Sequence, residues 1–183
     1  MSGKLERLAR KTVMPGKVVD LCQDTVRLPD GKIEQWDFVH HKKGCGAAIV
    51  PVLPDGRILL VRQYRPAVGE EVLELPAGGR DGEESLTETA KRELLEETGY
   101  RAEKLTFLCR ARTAVAWCDE YTEVYLAEDL QKTPSRHLDE AEDIRMEVHT
   151  KEELLAMIAE GTLSDAKTIA GIALYCAKQS KTE

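Results

Sequence analysis

Glu93 and Glu97 are the residues of this 183-residue chain best placed to do chemistry. They sit in a predicted helix from Ser85 to Thr98. At 100° per residue, Leu86, Ala90 and Leu94 form an apolar stripe, and both glutamates fall within about 20° of Leu86. Carboxylates turned inward destabilise the fold unless a cation or a proton compensates them. An i,i+4 pair, roughly 5–6 Å apart at Cβ, suits two carboxylates that share hard divalent cations. The competing reading is a solvated charge run of Glu93, Glu96 and Glu97 with Leu94 and Leu95 in the core. Glu88, Arg92 and Glu96 follow at i, i+4 and i+8, a spacing at which the guanidinium bridges both carboxylates and holds Glu96 near the pair.

The elements that must position these groups are marked locally. Ser85 with Glu88 forms a capping box and Gly99 stands at the C-cap, so the acidic helix has a defined start and stop. Thr150 with Glu153 and Gly161 delimit a second helix, and a third runs from Ser164 to about Lys178. The turns Leu28-Pro29-Asp30-Gly31-Lys32 and Leu53-Pro54-Asp55-Gly56-Arg57 predict two hairpins. Their strands are Val18 to Arg27 with Lys32 to His40, and Ala47 to Leu53 with Arg57 to Tyr64. A short segment, Glu71 to Leu75, follows the second hairpin, and further strands are predicted at Leu105 to Ala111, Glu120 to Ala127 and Ile144 to His149. Pro76 to Gly82 is predicted as a loop. Strands precede, separate and follow helices, which predicts an α/β (α+β) class with helices packed on a sheet.

Composition narrows the functional class. The 26 Lys plus Arg against 33 Asp plus Glu give a net charge of −7, which argues against nucleic acid as partner. The five cysteines lack any Cys-x-x-Cys pair, which predicts a reducing, cytoplasmic setting rather than a disulfide framework or a zinc site. No apolar run approaches the ~20 residues of a membrane span, so neither export nor membrane anchoring is expected. No linker divides the chain, and residues 1–183 are expected to form a single domain. Adjacent His40 and His41 on a strand face opposite ways and are expected to be structural.

Gly78, five residues, Glu84, seven residues, Arg92-Glu93-Leu94, one residue, Glu96-Glu97, one residue and Gly99-Tyr100 form a 23-residue pattern that resembles the box of the Nudix hydrolases. Tyr100 stands where that pattern usually has an aliphatic residue. The resemblance implies a Nudix-type α-β-α sandwich with a mixed sheet and, here, an N-terminal antiparallel hairpin. It also implies attack of water on phosphorus in a nucleoside diphosphate linked to a further group, with Mg2+ as cofactor and Mn2+ as a substitute. Carried onto this chain, Glu93, Glu97 and the carbonyl oxygen of Ala77 become metal ligands, Glu96 and Arg92 support them, and Glu84 orients the box.

Outside the box, Val61-Arg62-Gln63-Tyr64-Arg65-Pro66, Glu74-Leu75-Pro76-Ala77-Gly78 and Asp165-Ala166-Lys167-Thr168 are similar to segments of the ADP-ribose and nucleoside diphosphate sugar pyrophosphatases. That likeness implies a general base on the acidic loop from Asp139 to Arg145, with Glu140 as base and Glu142 as a further metal ligand. Arg65 and Arg62 are then diphosphate or sugar contacts, against the alternative of surface ion pairs. Trp36 or Trp117 is a stacking surface for the base, against a place in core or interface. It further implies a homodimer built on residues 1–42, with 43–183 as catalytic core. The related ADP-ribose enzymes carry Ser-Pro-Gly shortly before the Asp-Glu pair, where this chain reads Ala114-Val115-Ala116-Trp117-Cys118. A broader range is therefore expected, including ADP-ribose and GDP-mannose. A nucleoside triphosphate pyrophosphatase and a non-catalytic nucleotide-sugar sensor are the alternatives.

Overall fold

The computed structural model describes residues 3–134 and 144–180. The chain resolves into two compact units, Met1–Gly44 with Arg112–Tyr121, and Cys45–Ala111 with Thr122–Glu183. The first holds β1 (Glu6–Pro15), β2 (Val19–Arg27) and β3 (Ile33–His41). These form an antiparallel sheet in the order β1-β2-β3. β2 and β3 are the predicted hairpin, in register from Arg27↔Ile33 to Val19↔His41 across the Asp30-Gly31 turn. β1 was not foreseen, because all ten of its residues are exposed and no alternation of apolar residues marks it as a strand.

The second unit carries β4 (Cys45–Pro51), β5 (Ile58–Arg65), β6 (Glu70–Glu74), β7 (Ala77–Gly79), α1 (Leu86–Thr98), β8 (Tyr100–Arg101), β9 (Leu105–Ala111), β10 (Tyr121–Ala127), β11 (Gln131–Lys132), β12 (Arg145–His149), α2 (Lys151–Glu160) and α3 (Ala166–Gln179). Its strands pair as β7-β4-β10-β9, β12-β5-β6 and β11-β8. The second predicted hairpin survives only at its turn. A single bridge joins Val52 to Ile58, after which β4 and β5 diverge into different sheets. The Pro76–Gly82 segment is likewise not all loop, since β7 pairs with β4 through Gly46↔Gly79, Ala47↔Gly78 and Ala48↔Ala77.

Every residue of β4 is buried, as expected of a strand covered on both faces. The alternation assigns the two sides. Ala47 and Ile49 on β4, with Tyr125 and Ala127 on β10, pack against Ala90 and Leu94 of α1. Ala48 and Val50, with Val124 and Leu126, pack against Leu154 of α2, Leu163, and Ile172 and Tyr175 of α3. This unit is therefore a helix–sheet–helix sandwich, and α1 is clamped to the sheet. Side chains such as Ile49 and Leu94, both 0% exposed, each contribute about 1.5–3 kcal/mol on burial.

Candidate active site

The helix caps read from the sequence set the position of α1. Ser85 Oγ accepts from Glu88 N at 3.3 Å and Glu88 Oε2 accepts from Ser85 N at 2.7 Å, while Gly99, at φ 72°, ends the helix with its N–H on Leu95 O. So fixed, the helix turns Glu93 and Glu97 into the protein, where they are 7% and 1% exposed. The solvated-run alternative does not describe them.

Both carboxylates meet the backbone of β7. Ala77 N donates to Glu97 Oε2 at 3.1 Å. A Cβ at position 78 would lie 1.9 Å from Glu93 Oε1 and 2.2 Å from its Cδ, so the Glu93 carboxylate occupies space that only a glycine leaves open. Burial thus sets two carboxylates, both hard oxygen donors, against β7.

Arg92 organises the rest. Its Nη1 donates to Glu93 Oε1 at 2.7 Å and Glu96 Oε2 at 2.9 Å; its Nη2 donates to Gly79 O at 3.0 Å and Glu84 Oε1 at 2.8 Å. The predicted bridge to Glu96 is present, whereas the predicted partner Glu88 is not used. Glu88 is committed to the capping box, and Glu84 takes its place at the guanidinium. Glu84 also accepts from Asp81 N at 2.8 Å, and Thr89 Oγ1 lies 3.0 Å away. The hydrogen bonds from Arg92 lead the causes that lower the Glu84 carboxyl to about 2. The same pairing with Glu84 raises the Arg92 guanidinium above its ordinary value.

The other sequence candidates are less uniformly placed. Arg65 on β5 grips Glu74 of β6 with both arms, Nε to Oε1 at 2.6 Å and Nη2 to Oε2 at 2.9 Å. Arg62, three residues earlier on β5, is held by Glu147 of β12 through Nε and through Nη2 at 3.1 Å. Arg62 thus makes an ion pair with the part-exposed Glu147, whereas the partner of Arg65 is a buried carboxylate rather than a surface one. In the N-terminal unit, Trp36 and Trp117 line a pocket of about 210 Å3 together with Arg10, whose guanidinium sits 3.5 Å over the Phe38 ring. Glu140 and Glu142 lie outside the described residues. Among the described residues no three Asp, Glu, His or Cys side chains converge as a ready metal cage. Two carboxylates suffice for a magnesium-type ion whose remaining ligands are water and substrate phosphate, so the donor set fits.

Sequence reasoning missed the cluster behind Arg65. Glu74, 3% exposed, is also bonded by Lys167 Nζ from the first turn of α3. Thr168 Oγ1 accepts from Leu75 N at 2.8 Å, which ties α3 to the strand entering β7. The segments around Glu74 and Lys167 had been singled out, but their pairing spans 93 residues and no local signal announces it.

Residues 42–171 match the NUDIX domain family. An ADP-ribose pyrophosphatase of Bacillus subtilis is 36% identical over 162 residues, 88% of this chain and 86% of that protein. A methanol dehydrogenase activator of Bacillus methanolicus is 32% identical over 93% of each chain. An ADP-ribose pyrophosphatase of Mycobacterium tuberculosis is 36% identical over 91% of this chain and 81% of its own length. The crystal structure of an ADP compounds hydrolase superposes with a TM-score of 0.85 at 21% identity, covering 100% of this chain and 97% of that one.

Proposed function

Since the chain belongs to the NUDIX domain family and is a Nudix hydrolase, a class that generally needs divalent metal ions, we propose that it hydrolyses the diphosphate linkage of ADP-sugars. ADP-ribose would give AMP and ribose 5-phosphate. Magnesium is the proposed cofactor, with manganese able to substitute, and GDP-mannose is a proposed further substrate. The observation that carries this reading is the burial of Glu93 and Glu97 side by side on α1 against β7.

Glu93, Glu97 and the Ala77 carbonyl, with Glu142, are the residues that would hold the metal. Bound there, it would neutralise charge on the diphosphate oxygens and acidify the attacking water. Arg92 fixes the Glu93 and Glu96 carboxylates so that they need not reorganise during the reaction. Arg65, whose side chain is 42% exposed, is the proposed diphosphate contact, and Arg62 a second one. Glu140 is the proposed base that takes the proton of the water. Trp36 is the proposed stacking surface, and residues 1–42 the proposed dimerisation segment of a cytoplasmic homodimer. Residues 1–183 are proposed to act as one domain.

Among the described residues no helix is long and apolar enough to cross a membrane. The test is to incubate purified protein with magnesium and ADP-ribose, ADP-glucose, GDP-mannose or nucleoside triphosphates, and to follow monophosphate release with and without chelator. Chelator-sensitive AMP release from ADP-ribose, lost by orders of magnitude in Glu97→Gln with the fold retained, supports the reading. Preference for triphosphates over every diphosphate sugar, or no turnover of any, overturns it.

A further inference from the structure

Glu74 is one of the most deeply placed acids among the described residues, and it holds two cations where one would neutralise it. The Arg65 fork takes both oxygens, at 2.6 and 2.9 Å, and Lys167 Nζ shares Oε2. The two cations differ in freedom. The Lys167 side chain is 13% exposed and is also anchored to Asp165 Oδ2 at 3.0 Å, whereas the Arg65 side chain is 42% exposed. Hydrogen bonding to Glu74, against the burial that opposes it, raises the Arg65 guanidinium, and the Glu97 charge adds to the effect. Arg65 therefore lies within electrostatic reach of Glu97, one of the two buried acids of α1. Asp165 does not depend on Lys167 alone: as the N-cap of α3 it accepts from Thr168 N at 3.0 Å and Thr168 Oγ1 at 2.6 Å.

We infer that Lys167 is a positioning residue that keeps Glu74 compensated while Arg65 leaves it for the diphosphate of a nucleoside diphosphate sugar. The inference rests on the reading of Arg65 as a diphosphate contact. An arginine that were the sole partner of a buried carboxylate could turn to substrate only by stranding that charge, at a cost that would appear in substrate affinity. With Lys167 in place, Glu74 acts as a parking site for the guanidinium in the free enzyme and releases it when phosphate arrives. Lys167 itself touches neither substrate nor reacting atoms; it sets how readily Arg65 moves.

The experiment measures kcat and KM of the full chain for ADP-ribose with magnesium in the wild type, Arg65→Ala, Lys167→Met, Glu74→Gln and the double variant Glu74→Gln/Lys167→Met. Lys167→Met is expected to raise KM by about tenfold with kcat within about twofold, because Arg65 is now locked on Glu74. The double variant is expected to return KM to within about threefold of wild type, and Glu74→Gln alone to leave it equal or lower. An unchanged KM in Lys167→Met overturns the inference, as does a rise that the double variant fails to rescue. If Lys167→Met does not fold, Glu74→Gln decides, since a raised KM there assigns the cluster to structure alone. Arg65→Ala separates the two layers. A raised KM in Arg65→Ala beside a wild-type KM in Lys167→Met removes only the inference about Lys167, whereas a wild-type KM in Arg65→Ala removes the diphosphate contact on which it stands.

Discussion

Replacing Gly78 by alanine separates the geometry of the site from the stability of the fold. The backbone at Gly78 is not in the left-handed region, so an alanine is accommodated without conformational strain and β7 keeps its pairing with β4. What the new methyl meets is the Glu93 carboxylate, with Oε1 at 1.9 Å, Cδ at 2.2 Å and Oε2 at 2.5 Å, all inside the 3.0 Å that Cβ contacts respect. Oε1 must retreat by about 1 Å at least. It is bonded to Arg92 Nη1 at 2.7 Å, so either that bond breaks or Arg92 is pulled along with Glu84 and Glu96. A displacement of about 1 Å in a reacting constellation costs roughly 100-fold in rate. Gly78→Ala is therefore expected to lower kcat/KM for ADP-ribose by about two orders of magnitude and to weaken manganese binding, while thermal unfolding shifts by only a few degrees, in line with about 1 kcal/mol or less for a tolerated glycine replacement. A folded Gly78→Ala protein with kcat/KM within about threefold of wild type would refute the placement of Glu93 in the reaction.

The remaining expectations bear on other groups. Glu84, lowered to about 2 chiefly by Arg92, ionises in the folded state well below its unfolded value. Its stabilisation, no more than about 3 kcal/mol, is then fully present above pH 4.5 and is lost as the pH falls toward 2. The urea midpoints of wild type and Glu84→Gln should accordingly differ at pH 6 and converge toward pH 2, and a constant gap over that range would contradict the pairing. Glu140→Gln should reduce kcat by about 100-fold or more with little change in KM, as expected of a base acting in the transition state. Glu142→Gln should instead raise the magnesium concentration needed for half-maximal activity, and a nearly silent Glu140→Gln beside a crippling Glu142→Gln would reverse the two roles.

What was legible in the chain was what neighbouring residues determine. The capping boxes Ser85/Glu88 and Thr150/Glu153 and the stops Gly99 and Gly161 stand where the sequence places them, because a cap is a contact within one turn. Helical periodicity offered the inward faces of Glu93 and Glu97 beside a solvated charge run, and the resemblance of the surrounding pattern to the Nudix box decided between them. The missed features are settled by distant partners. β4 and β5 share a turn but not a sheet, because each finds its long partner elsewhere, β4 in β10 and β7, β5 in β12 and β6. Ala77-Gly78-Gly79 has no strand propensity and becomes a strand only through β4. Glu88 was assigned to Arg92 although the capping box had already claimed its carboxylate; the two uses exclude one another, and that conflict was visible in the sequence. The grip of Arg65 and Lys167 on Glu74 joins elements far apart in the chain and needed the fold to be seen.

Whether the two buried glutamates of α1 hold a divalent cation against a bound diphosphate is decided by the anomalous scattering of manganese in crystals soaked with a non-hydrolysable ADP-ribose analogue. A manganese peak is expected between the carboxylates of Glu93 and Glu97 and the diphosphate, absent from crystals of Glu97→Gln. A bound diphosphate with no manganese beside either glutamate, in crystals that bind the ion elsewhere, would contradict it.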